Sequence, residues 1–93
     1  MNIKVPHNAS KIIINKIVIT GVVNSGNYQS SIRVLNEPDI GVATQIFSEF
    51  INTGTYNNKE LDISSRTTNN LYLYVSLEGS GKGNLTLTGI TVK

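Results

Sequence analysis

Tyr72 and Tyr74, in the run NLYLYVSLEG, are the side chains whose type and spacing best suit recognition chemistry. Two residues apart on an extended chain, their rings project on the same side, about 7 Å from each other. Tyrosine rings displayed on a sheet surface stack on the C–H face of a sugar, and their hydroxyls donate to sugar oxygens. Arg33, on the outward side of its own strand, and Tyr28 and Tyr56, read as loop residues, are further candidates for stacking or polar contacts. The same tyrosine pair also suits cross-strand packing against an adjacent sheet or subunit.

Catalysis has little raw material. The single histidine, His7, stands beside Pro6 in a polar turn and reads as a solvated surface residue. Without cysteine there is no Cys-His nucleophile, no thiolate metal site and no disulfide framework. Among the acids, Glu60 and Asp62 share a strand face, whereas a glycosidase needs two carboxylates facing each other across a cleft. The simpler reading is a solvated strand face that discourages edge pairing. GSGKG at residues 79 to 83 superficially resembles a phosphate loop. Lys82 is followed by glycine rather than Ser or Thr, however, and a strand pattern follows where that loop needs a helix. Asn8-Ala9-Ser10 and Asn84-Leu85-Thr86 match the glycosylation acceptor, as chance alone provides in a chain so rich in Asn, Ser and Thr. Neither an enzyme nor a cofactor is expected.

The elements that must carry these residues read as strands. Leu71, Leu73, Val75 and Leu77 alternate with Tyr72, Tyr74, Ser76 and Glu78, and Leu85 and Leu87 alternate with Thr86 and Thr88. With a glycine-rich turn between them, residues 70 to 93 predict a β-hairpin with one buried and one polar face. Residues 2 to 6 predict a short edge strand closed by Pro6, and His7 to Ser10 a turn. Residues 11 to 23 are the most β-branched stretch, with Ile12 and Ile14 on one parity and Ile17, Ile19 and Val23 on the other. That shift at Asn15-Lys16 predicts a bulge or kink, so that one long strand bends or passes between two sheets. A turn follows at Asn24-Ser25-Gly26-Asn27.

Residues 28 to 35 place Ile32 and Val34 on one face and Arg33 and Leu35 on the other. Residues 40 to 51 are two-sided in character: Ala43, Ile46, Phe47, Phe50 and Ile51 fit an amphipathic helix, but Gly41, Val42 and Thr44 disfavour one. A strand over residues 43 to 51 is the preferred reading. Residues 53 to 58 read as a long loop, and KELDIS, residues 59 to 64, as a one-sided strand. After another loop at residues 65 to 69, the last strand switches parity at Gly89, from Leu85 and Leu87 to Ile90 and Val92, which predicts a second bulge. Seven or eight short strands with polar turns argue for an all-β antiparallel sandwich in a single domain over residues 1 to 93.

Composition bounds the setting. Charged residues make up 15% of the 93, well below the usual one quarter or so of a globular protein. A net charge of +2 with scattered lysines offers no nucleic-acid footprint. The start, MNIKVPHNASK, has no apolar core of a signal peptide, and no apolar run approaches the ~20 residues of a membrane span. A neutral polar surface of this kind suits extracellular or virion β-proteins.

The succession of KELDIS, polar loop, LYLYVSLEG, glycine-rich turn and NLTLTGITVK at the end resembles jelly-roll domains of the carbohydrate-binding-module type, which also occur in phage tail and baseplate proteins. The resemblance covers residues 43 to 93. It implies a jelly-roll sandwich binding a glycan or cell-surface polysaccharide. Family members often hold calcium with an acidic residue near the final strand; here that region reads Thr88-Gly89-Ile90, so no metal is expected. The leading expectation is therefore a non-enzymatic carbohydrate-binding or adhesion module, with Tyr72, Tyr74, Arg33, Tyr28 and Tyr56 as its ligand contacts. The alternative is a structural virion protein, a decoration or fibre-head domain, that assembles as an oligomer through its polar-aromatic sheet face.

Overall fold

The computed structural model describes residues 1–22, 26, 28–78 and 83–93. Seven strands are present: β1 Asn2–Lys4, β2 Lys11–Thr20, β3 Ser31–Leu35, β4 Gln45–Phe50, β5 Gly54–Asp62, β6 Asn70–Ser76 and β7 Asn84–Val92. They form two antiparallel sheets, one of order β1-β6-β3-β4 and one of order β5-β2-β7. No helix occurs among the described residues. The chain is an all-β sandwich.

Alternation explains the core. Ile3, Leu71, Leu73, Ile32 and Val34 face inward from the larger sheet, and Ile12, Ile14, Ile17, Ile19 and Leu61 from the smaller one; all are buried. Partly buried Phe47, Val75, Leu85, Leu87, Ile90 and Val92 pack around them. At about 25 cal/mol per Å² of apolar surface removed from water, this burial is the main term holding the sheets face to face.

The parity shifts at Asn15 and Gly89 belong to one feature. Register places Asn15 level with Asn58 on one side and with Gly89 on the other, and each strand changes its inward-facing set at that row. Asn58 has φ +52° and Gly89 φ +72°, the left-handed region that an ordinary residue avoids. The Asn15 side chain occupies the space a Cβ on Gly89 would need. Because all three strands kink together, register is kept, and β2 bends within one sheet rather than passing between two.

The strand expected over residues 43 to 51 is β4. Its helix-like spacing has a local cause: the β3–β4 register slips by one residue between Val34 and Leu35, so that Ile46 and Phe47 are both partly buried. Phe50 then points outward while Ile51 enters the core.

Two expectations are corrected. Residues 54 to 58 are not loop but the first half of β5, paired with β2 from Gly54 onward; their polar side chains belong to an edge strand with one wet face. The hairpin of residues 70 to 93 does not form either. β6 pairs with β1 and β3 in the larger sheet, whereas β7 pairs with β2 in the smaller. Both strands bury their leucines, as their alternation requires, but from opposite walls of the core. The turns read at residues 24 to 27 and 79 to 83 lie outside the described residues, except for Gly26 and Gly83.

Candidate functional site

The outward face of the four-stranded sheet gathers most of the residues singled out in the sequence. β3 carries Ser31, Arg33 and Leu35 on that face. Arg33 lies opposite Tyr74 of β6 on one side and Ser48 of β4 on the other. Leu35 lies opposite Tyr72 and Gln45, and Ser31 opposite Ser76 and Phe50. Period-2 projection and antiparallel register thus bring Tyr72, Tyr74 and Arg33 side by side, although they are about 40 residues apart in sequence.

The two tyrosines are half-buried. Leu35, outside the central core, is nevertheless only 1% exposed with Tyr72 as its direct cross-strand neighbour, so part of the Tyr72 ring serves packing. Asn70 Nδ2 donates to the Tyr72 hydroxyl at 3.4 Å. Tyr28, just before β3, is 65% exposed.

Tyr56 is placed elsewhere. It lies within β5 opposite Ile17, on the inward side of the other sheet, and is not a loop residue. Its hydroxyl accepts from Asn52 N at 3.0 Å, and the Lys59 ammonium sits 5.7 Å from its ring centroid. Lys59 in turn ion-pairs with Glu49 of β4, tying the two sheets together along one open side. Tyr56 and Lys59 close the sandwich and do not join the outward face.

Sequence reasoning missed two members of the face. Phe50 is exposed at the end of β4, and Ser31, wholly buried, forms the floor of a recess of about 360 Å³ that Arg33, Phe50, Ser76, Gln29 and Glu78 also line. Among the described residues neither Ser31 Oγ nor Arg33 Nε has a hydrogen-bond partner, and both atoms are buried. The available signal was the shared parity of residues 31 and 33 on β3.

The acids do not build a hydrolytic pair. Glu60 accepts a hydrogen bond from Lys11 Nζ at 2.9 Å, and Asp62 accepts from Ser64 N at 2.9 Å. That backbone bond, with the Ser64 side chain, holds the Asp62 carboxyl below its usual range. A general acid needs the opposite shift. Both residues stand on the outer side of one edge strand, opposite Ile13 and Lys11. Among the described residues no group of three or more His, Asp or Glu side chains could hold a metal ion, and no helix is long and apolar enough to cross a membrane.

The other concentrated polar cluster is a tie. Arg66 donates to the carbonyls of Pro6 at 2.8 Å, His7 at 2.9 Å and Ile63 at 3.3 Å, and also to that of Ala9. Exposed His7 meets the Asn69 amide at 3.2 Å. This cluster fastens the loop after β5 to the turn after β1.

No protein-family model matches the chain, and no curated protein or solved structure matches it either.

Proposed function

We propose that the chain is a non-enzymatic jelly-roll module that binds carbohydrate or mediates adhesion through the outward face of its four-stranded sheet. An extracellular assembly or a phage tail is the setting that suits its neutral polar surface. The carrying observation is the cross-strand placement of Arg33 beside Tyr74, with Tyr72 two residues along the same strand and face. Half-exposed tyrosine rings supply stacking surfaces and the guanidinium supplies directed donors. So shallow a site binds each sugar weakly, and repetition of the module raises avidity without new contacts.

The jelly-roll reading rests on nesting. β1 pairs with β6, β2 with β5 and β3 with β4, the pattern of one long hairpin rolled into two sheets, and β3–β6 pairing completes the larger sheet. β7 adds to the free side of β2.

A glycan array probed with the protein and with Tyr72→Ala and Tyr74→Ala variants tests the reading. Binding that both variants weaken is the expected result; an empty array, or binding indifferent to both substitutions, removes it. One observation favours a structural virion protein assembling through this face: Phe50 is 64% exposed on an edge strand of the same sheet, a typical interface aromatic. Light scattering separates the two, since that reading requires a stable oligomer that Phe50→Ser dissociates.

A further inference from the structure

Among the described residues Arg33 has no ionic partner. The ion pairs of the described residues are Lys11–Glu60 and Lys59–Glu49, and Glu78, on the rim of the same recess, instead accepts from Ser76 Oγ at 3.3 Å. Two buried donors of residues that line this recess, Arg33 Nε–H and the Ser31 hydroxyl, have no partner among the described residues. A buried donor left unmade is costly, so a recess that keeps two of them on one face of β3 is poised for an acceptor.

We infer that this recess selects a sugar residue bearing a carboxylate, such as a uronic or sialic acid. The inference deepens the carbohydrate reading above and rests on it. Each part of the recess answers one part of such a ligand. The carboxylate accepts from the guanidinium fork, including Nε–H, in the planar geometry that arginine presents and lysine does not. One of its oxygens accepts from the Ser31 hydroxyl on the floor, directly or through one water. Glu78 accepts from ring hydroxyls, and the exposed Phe50 ring, opposite Ser31, meets the C–H face of the pyranose. A neutral sugar would leave the arginine charge unanswered.

The chain has two arginines, Arg33 and Arg66, so its Nε–H NMR spectrum carries its own internal control. The protein is titrated with trigalacturonate and its carboxyl-reduced trimer, and with sialyllactose and lactose. The inference expects the Arg33 Nε–H signal to move while Arg66 stays. It expects an acidic probe to bind about tenfold or more tightly than its neutral counterpart, and Arg33→Gln to erase that preference. Equal binding of acidic and neutral probes overturns the acidic selection and leaves the carbohydrate reading standing. An acidic preference that survives Arg33→Gln overturns this site. No binding of any of these sugars, together with an empty glycan array, overturns both. Unchanged thermal melting of Arg33→Gln separates lost recognition from lost fold.

Discussion

The two arginines of this chain illustrate opposite uses of one side chain. Arg66 saturates its guanidinium on four backbone carbonyls from the turn after β1 and the end of β5. Arg33, in the middle of a sheet face, engages no described partner through its buried Nε. A guanidinium engaged in this way gathers carbonyls of two loops, those of Pro6 and Ile63 accepting a backbone N–H as well, and so holds the loops together. One that is left unengaged contributes little to stability and is free for an incoming acceptor.

The largest effect should come from breaking the saturated member. Arg66→Ala removes the side-chain donors from four carbonyls, leaving those of Pro6 and Ile63 only their backbone donors. It is expected to cost about 3 kcal/mol, lowering Tm by more than about 10 °C. Arg33→Ala, melted alongside, should stay within about 2 °C of the parent. Equal losses would erase the contrast.

A control from the other sheet sharpens it. Gly89→Ala forces a side chain into the left-handed region and against Asn15, and should cost about 2 kcal/mol in chemical denaturation while leaving the outward face of the larger sheet intact. Loss of sugar binding by this variant under folding conditions would show that the face is not independent of the kinked sheet.

Next in size, and opposite in sign, is Ser31→Ala. Removing an unsatisfied buried hydroxyl should raise stability by about 1 kcal/mol, measured by the same denaturation, while weakening capture of an acidic probe. A destabilised variant would mean that the hydroxyl is already engaged in the fold.

Smallest is Asp62→Asn. The folded carboxyl titrates below its unfolded value of 3.8, so its contribution is present above that pH and is lost as pH falls through the folded value. The variant should melt slightly below the parent at pH 7, and the gap should close in acid. A gap that widens in acid would reverse the sign of the shift.

Much of the architecture was legible residue by residue. Every apolar alternation marked a real strand, the parity shift at Asn15 marked a real kink, and the breaks in residues 40 to 51 correctly outweighed their helical spacing. At Gly89 the shift marked the same kink, with the register kept, and not the bulge expected there. Residues 54 to 58 were not legible, because a polar edge strand looks like a loop when its pairing partner is unknown. On the outward face, Tyr72, Tyr74 and Arg33 were recognisable from residue type and parity alone. Tyr56 was misplaced for the same reason as its strand. Ser31 and Phe50 (the latter read only for its spacing along residues 40 to 51) were not legible as site residues, because nothing about a serine or a phenylalanine in isolation announces a recess.

What the sequence determined by itself is local: an all-β chain, which residues face inward, and where a strand must kink, since side-chain alternation is a property of the extended backbone. Only the tertiary structure decided which sheet each strand joins. β6 and β7 satisfy the same pattern as a hairpin or as strands of opposite sheets, and closure of the core from both sides selects the second. Tertiary structure likewise aligned three kinks into one row, saturated Arg66 and left Arg33 Nε without a partner among the described residues, because the partners available to a polar group depend on what distant strands bring beside it.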